Sequence, residues 1–288
     1  MAFPVQGARV VITGAASGLG YGFAEQAVLG GAHSVVLWDV NEQGLVEATE
    51  RLQALAQRHG HPAVFEHTAL DLANFEAVDA AAASVLAGGV PDLVINNAGI
   101  VRGNSYAWEA DTRTVALPTL MVNTVAPIHV VRTLLPAMIE DRGREKRLLT
   151  VASAAALVSN PRMSAYAASK WAAYAYSDTV RLELRNAGHR HVKVTTFCPS
   201  YISTGLFAGA RGMFLTPVIT PEHAVRSAWR AMLRGKAVQR TPYGVTLGRV
   251  LKGILPQRVW DRVAASLGVY RSMEAFTGRP TPTDGGAK

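Results

Sequence analysis

Between residues 8 and 39 the chain runs through a strand, a glycine-rich turn, a helix and a second strand in close succession, and few folds accept that series. ARVVIT at 8–13 is an apolar run of the length of a buried strand. GAASGLG at 14–20 leads straight into an Ala-rich helical stretch, and HSVVLWD at 33–39 is a second β-rich run. A strand that feeds a helix through glycines aims backbone N–H groups and the positive end of the helix dipole at one point, which suits a phosphate. The spacing is Thr13-Gly14-x-x-x-Gly18-x-Gly20, with Ser17 and Leu19 inside the turn. Asp39 follows Gly20 by 19 residues, where a dinucleotide-binding unit places the carboxylate that takes the ribose hydroxyls. A carboxylate there repels a 2′-phosphate, and Ser17, Val40 and Asn41 offer no cation to attract one. NAD is therefore expected over NADP.

The alternation continues. A helix over about 41–59 and a strand over about 62–67 lead to Asp71-Leu72, placed to frame an adenine; taken singly, Asp71 reads as a helix cap. DLVINNAG at 92–99 is an apolar strand closing on Asn96-Asn97-Ala98-Gly99, whose amides can hold backbone together beside a ligand. A helical stretch over about 112–140 carries Asn123, with Pro118 and Pro127 interrupting it on either side. An amide near such irregularities can hold water that a regular helix excludes. RLLTVAS at 147–153 is a fifth strand ending in Ser153, and HVKVTTFCP at 191–199 a sixth ending in Pro199. Strands alternating with helices imply a doubly wound, mostly parallel α/β sheet that binds ligands at the carboxyl ends of its strands. Ser17, Asn97, Ser153 and Pro199 all follow strands, so the candidate site lies along one edge. With 49% apolar residues in 288, the chain can bury one substantial core, and a single domain over 1–288 is expected.

The chemistry is carried by SAYAASK at 164–170, in a helix expected over about 164–187. Tyr166 and Lys170 stand four residues apart, so a helix puts them on one face. An ammonium beside a phenol favours the phenolate and lowers a pKa that is ordinarily near 10. A tyrosine tuned in this way can pass a proton to or from an alcohol oxygen. Ser153 precedes Tyr166 by 13 residues, enough for a strand end, a loop and a helical turn to bring the two hydroxyls to one substrate oxygen.

Taken in this order and spacing, the glycine turn, Asn96-Asn97-Ala98-Gly99, Asn123, Ser153 and the Tyr166/Lys170 pair resemble the short-chain dehydrogenase/reductase family over about residues 8–205. The resemblance implies a Rossmann-type seven-stranded sheet with helices on both faces and a catalytic tetrad of Asn123, Ser153, Tyr166 and Lys170. It also implies that Lys170 holds the nicotinamide ribose, that Asn123 positions a water relaying the proton outward from Lys170, and that Ile202 and Thr204 join the cofactor contacts. The chain departs from the family in one place: the usual Pro-Gly after the sixth strand is Pro199-Ser200. The downstream segments are similar to the branch that contains retinol dehydrogenases and 17β-hydroxysteroid dehydrogenases.

Two later segments bear on the substrate. The loop over 200–220 carries Tyr201, Ile202, Leu206, Phe207, Met213, Phe214 and Leu215 with glycines between them, which fits a lid over an apolar ligand or a subunit contact. Residues 222–288 hold 12 basic and 4 acidic side chains, so the whole net charge of +8 sits in the last quarter, including a C-terminal extension over 243–279. There it is interleaved with Trp229, Leu247, Leu251, Ile254, Leu255 and Trp260, a mixture that favours peripheral contact with a lipid surface over nucleic acid, the alternative being a solvated basic face with ordinary core residues beneath it. One cysteine, Cys198, excludes an internal disulfide, and the chain opens almost directly on its first strand. A cytoplasmic location is expected, with no stretch long and apolar enough to span a bilayer and no metal site. Ala167, Ala168, Ala172 and Ala173 permit close helix approach, and with the resemblance they suggest a homodimer or homotetramer. Three readings stand: an NAD-dependent dehydrogenase of steroid, retinoid or long-chain alcohols, one of small polar alcohols or ketones, and a dinucleotide-sensing protein without turnover.

Overall fold

Valine and isoleucine dominate the first strand, β1 (Arg9–Thr13), and every residue after Arg9 is buried. Such a strand belongs at the centre of a sheet covered on both faces. The computed structural model, which describes residues 2–207, 209, 212 and 216–277, places it there. The chain continues through α1 (Gly18–Leu29), β2 (Ser34–Asp39), α2 (Glu42–His59), β3 (Val64–Ala69), α3 (Phe75–Ala87) and β4 (Leu93–Asn96). A helical run follows, in which α4 (Leu117–Leu120) stands between π-helical turns at Thr112–Ala116 and Met121–Val125 before α5 (Ala126–Glu140). Then come β5 (Lys146–Val151), α6 (Ser164–Asn186), β6 (Val192–Pro199), α7 (Pro221–Leu233) and β7 (Val238–Thr241), with α8 (Tyr243–Ile254) and α9 (Gln257–Ser266) last.

The seven strands are parallel throughout and lie in the order β3-β2-β1-β4-β5-β6-β7. Strand order reverses between β1 and β4, and at such a switch point the loops diverge and open a crevice. Side chains alternate between two cores. Val10, Ile12, Val35 and Leu37 pack with α1, α2 and α7 through Phe23, Leu45, Leu52 and Met232. Val11, Val36, Trp38 and Val94 pack on the other face with α3, α5 and α6 through Val78, Leu134 and Val180. Each fully buried aliphatic side chain of this kind contributes about 2 kcal/mol, so the alternation fixes which helix lies on which face.

The amino edge of the sheet closes its charges on itself. Lys146, 1% exposed, donates to Asp92 at 2.8 Å and Asp141 at 2.5 Å, while Asp92 also accepts from the Arg9 backbone N–H at 3.0 Å. The carboxyl edge, where Thr13, Asp39, Asn96, Val151 and Pro199 end their strands, has no comparable charge-paired cluster among the described residues.

The seven strands expected are present, and the one that the sequence does not delimit is β7: VQRT is short and half polar, and it is a strand because Thr196–Pro199 of β6 offer it pairing partners. Two expectations need correction. The run Thr112–Glu140, 29 residues long, contains an 18-residue window apolar enough by composition to cross a membrane, contrary to the expectation that no stretch does. The prolines do not cut it short, because the π-helical turns absorb them. It is also a working part of this fold, packing on α3 and α6 and carrying Asn123. Finally, Trp229 and Trp260 are core residues, 6% and 3% exposed, and do not face solvent beside the basic groups. The apolar side chains most exposed there are Tyr243 at 78% and Ile254 at 73%, with Val250 and Val259 exposed to a lesser degree. Met213, Phe214, Leu215 and the end of the extension at 278–279 lie outside the described residues.

Candidate active site

The glycine turn is drawn tight against the end of β4. Thr13 Oγ1 accepts from the backbone N–H groups of Asn97 at 3.0 Å and Ala98 at 3.1 Å. Asn97 Nδ2 donates back to the carbonyls of Thr13 at 3.0 Å and Gly14 at 3.1 Å. A Cβ on Gly14 would meet Ala98 Cα at 2.9 Å, and one on Gly20 would meet the Gly14 carbonyl oxygen at 1.9 Å. Gly14 and Gly18 take positive φ angles of 66° and 57°, which side chains disfavour. Ser17 stands at the N-cap of α1 but its side chain makes no cap hydrogen bond. The first N–H groups of a 12-residue helix therefore lack that side-chain partner, as phosphate binding requires. Leu19 points into the core, and Thr204 packs over Gly18, with its methyl 3.6 Å from a Cβ there.

Asp39 closes the turn from the β2 side. Its carboxylate accepts from the Ala16 N–H through one oxygen and the Asn41 N–H through the other, each at 3.0 Å. Each oxygen keeps a further lone pair for a ribose hydroxyl. Asp71 is exposed and accepts from the Ala73 N–H at 2.9 Å, while Leu72 is buried. The cap of α3 is Asn74 and not Asp71. Glycines that a side chain would block, a helix end that its own N-cap side chain leaves alone and a half-spent carboxylate together fit a dinucleotide.

Tyr166 and Lys170 occupy adjacent turns of α6, each 5% exposed. Lys170 Nζ donates to the Val151 carbonyl at 3.0 Å. The Tyr166 hydroxyl is hydrogen-bonded to Ser153, whose Oγ also accepts from the Ala155 N–H at 3.1 Å. Asn123 sits in the second π-helical turn, 1% exposed, with Oδ1 accepting from the Ile100 N–H at 2.8 Å. Its Nδ2 donates to the Ile100 carbonyl at 2.9 Å and to Ser169 Oγ at 3.1 Å. Sequence reading found Asn123 and the helix irregularity but missed Ser169, whose signal was a small hydroxyl in the interior of a helix where capping cannot explain it. Gly99 also has a sharper role than a turn: a Cβ there would stand 3.1 Å from Asn123 Oδ1 and 3.2 Å from Lys170 Nζ, so its absence lets both face one point.

The electrostatics differ from the sequence expectation. Burial pushes the Tyr166 phenol well above its ordinary value, the Ser153 hydrogen bond draws it part of the way back, and Tyr201 raises it further. The Lys170 ammonium is itself desolvated and falls from 10.5 to about 8. It lies 5.9 Å from the centre of the Tyr166 ring and gives its hydrogen bond to backbone. Burial thus disfavours the charged form of both groups.

One cavity is lined by Ser153 and Tyr166 together with Met163, Tyr201 and Phe207, and by Val245, Leu251 and Trp260 of the C-terminal extension. Phe207 meets Tyr166 edge-on at 5.7 Å and Tyr201 at 5.4 Å. Phe207 of the 200–220 loop thus packs against the reactive tyrosine. Ile202 is buried and bridged to Ile219, and Pro199 ends β6 opposite Thr241.

A parallel sheet with a dinucleotide cradle and a buried Ser–Tyr–Lys group at its carboxyl edge defines an oxidoreductase acting on CH–OH groups with a nicotinamide dinucleotide. More specifically, the chain belongs to the short chain dehydrogenase family, whose model matches residues 8–213. It is similar to epidermal retinol dehydrogenase 2 of Mus musculus, 34% identical over 282 residues covering 97% of this chain and 88% of that protein. Estradiol 17-beta-dehydrogenase 11 of Pongo abelii is 32% identical over 260 residues, 88% of this chain and 81% of its own. Carveol dehydrogenase from Mycobacterium avium in complex with NAD shares the fold, with a TM-score of 0.74 at 18% identity over 85% of this chain and 99% of that one.

The buried lysine leaves a measurable signature. The folded chain releases the Lys170 proton from about pH 8, the unfolded chain only near 10.5. Below pH 8 the full cost of burying the charge is present, and it is relieved as pH rises through that window, because there the unfolded state binds more protons. Urea midpoints of wild type and Lys170→Met should therefore shift in favour of wild type between pH 8 and 10. A difference independent of pH would contradict the depressed value.

Proposed function

We propose that this protein is an NAD-dependent dehydrogenase that interconverts a lipophilic alcohol, of steroid, retinoid or long-chain type, and its carbonyl. The observation that carries this reading is the cavity itself, whose lining joins Ser153 and Tyr166 to apolar side chains of the 200–220 loop and the C-terminal extension. The names of the retinol and estradiol dehydrogenases it resembles support the same substrate class.

When bound, a nicotinamide dinucleotide supplies the hydride acceptor and, in its oxidised form, a positive charge. Gly14 to Gly20 and the start of α1 hold its pyrophosphate, and Asp39 takes the adenosine ribose and disfavours a 2′-phosphate. Asp71 and Leu72 border the adenine; Asn97, Ala98, Gly99, Pro199, Ile202 and Thr204 complete the cradle. Tyr166 as phenolate accepts the carbinol proton, and Ser153 hydrogen-bonds the same oxygen and stabilises charge as it develops. Lys170 holds the nicotinamide ribose and passes the proton outward beside Asn123, across the gap that Gly99 leaves. The phenol's raised pKa means that a further positive charge must favour its ionised form, and Lys170 shares that task rather than performing it alone. Phe207 and Tyr201 exclude water from the reacting oxygen.

Two surfaces extend the proposal. α5 and α6 pair two copies, with Trp171 at 42% and Leu182 at 48% exposed on α6. The α8–α9 hairpin rests on an anionic lipid surface through Tyr243 and Ile254 with Arg249, Lys252 and Arg258 among them. That contact puts the wall of the cavity next to the phase in which such substrates dissolve.

Tyr166→Phe should lose at least about a hundredfold in turnover, the usual contribution of a positioned general acid or base, while fluorescence titration still finds NAD+ bound more tightly than NADP+. Substantial residual turnover would assign the proton to another group, and equal affinities would remove the role given to Asp39. Light scattering should return the mass of two or four chains; a monomer at micromolar concentration would refute the α5–α6 pairing. Anionic vesicles should pellet the protein at low salt and release it at high salt, and failure to pellet at low salt would refute the lipid contact.

A further inference from the structure

Most polar side chains around the reactive pair have spent their hydrogen bonds on one another. Asn160 Nδ2 donates to the Tyr201 hydroxyl at 3.0 Å and to Ser272 Oγ at 3.1 Å. The Tyr201 and Ser272 hydroxyls meet at 2.9 Å, and Ser272 Oγ donates onward to the Val269 carbonyl at 2.8 Å. This trio closes on itself and fastens the end of the C-terminal extension to the cavity wall.

Two hydroxyls in the same cavity are different. Ser200 and Thr216 both line it, each is 8% exposed, and among the described residues neither side-chain oxygen has a hydrogen-bond partner. A buried hydroxyl without a partner costs stability, and folded proteins keep few of them. Their placement is not accidental drift of a loose loop. The Ser200 backbone N–H is fixed to the Thr241 carbonyl at 2.8 Å. The bridge between Ile202 and Ile219 holds the two legs of the 200–220 loop together, with Ser200 two residues before one partner and Thr216 three before the other. Ser200 is, moreover, the residue that stands where the family resemblance expects glycine, so a hydroxyl has been added where the backbone needs none.

We propose that Ser200 and Thr216 form a subsite for a second oxygen of the substrate, so that the alcohol handled by Tyr166 bears a further hydroxyl or carbonyl on its apolar skeleton. This rests on the cavity being the substrate site. A hydroxyl both donates and accepts, so the subsite takes either group. A skeleton with no second oxygen leaves both side chains unpaired, and a site built to pair with a polar group discriminates against the analogue that lacks it. The competing occupant is the carboxamide of the nicotinamide, because Ser200 follows β6 at the cofactor edge of the sheet.

The test uses the full chain with NAD+ and initial rates for long-chain secondary alcohols and steroid alcohols. Each is compared with a counterpart carrying one more hydroxyl or keto group. The counterpart is expected to be favoured in kcat/KM by about tenfold or more, the worth of one or two hydrogen bonds. In Ser200→Ala and Thr216→Val that ratio should fall towards one, with melting temperature reporting the fold. Ser200→Gly, which restores the family's residue, provides a second variant should the alanine disturb the strand end. A ratio near one in wild type, or a ratio the substitutions leave intact, overturns the subsite. A raised KM for NAD+ in Ser200→Ala with the ratio unchanged overturns it as well and assigns the hydroxyl to the cofactor. Turnover of the simple alcohols without preference defeats only the subsite, whereas turnover of none defeats the broader function and the subsite with it.

Discussion

Everything at the carboxyl edge of this sheet depends on how closely the β1–α1 turn approaches the end of β4. The approach is steric before it is electrostatic: a side chain on Gly14 would meet the Ala98 backbone at 2.9 Å, and one on Gly20 would meet Asn97 Nδ2 at 2.8 Å. Once the two segments touch, Thr13 and Asn97 stitch them with four hydrogen bonds in the range 3.0–3.1 Å. Asp39 then ties the same turn to β2. One cradle is thus braced from both neighbouring strands. Bracing of this kind lowers the ordering cost that a cofactor meets on binding.

The second constraint is desolvation. Tyr166 and Lys170 are buried together, and burial penalises whichever of them is charged: the phenol is raised and the ammonium lowered to about 8. Neither is a strong acid or base against water by itself. Ser153 moderates the phenol directly, and the Val151 carbonyl holds the ammonium in position. The site is therefore built to respond to additional charge brought into it, and low polarity magnifies that response.

Much of this was legible in the sequence, for physical reasons. Strands that are buried on both faces read as unbroken apolar runs, so β1, β2, β4, β5 and β6 stand out, and the Gly14–Gly20 spacing and Asp39 follow from backbone requirements that few other residues meet. What was hidden depends on tertiary contact. β7 is a strand only because β6 pairs with it, and Ser169 matters only because a π-helical turn brings Asn123 against it. Trp260 looks like a surface anchor beside Arg258 and Arg262 until α9 folds back and buries it. The expectation that Lys170 tunes Tyr166 came from helical spacing, which gives proximity but not the desolvation that both groups share. Ser200 was visible as a departure from a pattern, but not as an unpaired hydroxyl in a cavity.

The strand order carries a consequence for how the chain assembles. β1 pairs with β4 as well as with β2, and its Val10 stands beside Leu93, a partner more than eighty residues downstream. As the chain leaves the ribosome, β1, β2 and β3 can pair at once, but the inner edge of β1 stays unsatisfied until the α3–β4 segment has emerged. Closing so long a loop costs entropy before any contact rewards it, and parallel pairings of this kind slow folding. The bare edge of β1, with its unbroken valine and isoleucine, is meanwhile the segment with most to gain from pairing with another chain. The same strand that anchors the cofactor cradle in the finished enzyme is its most aggregation-prone part during synthesis.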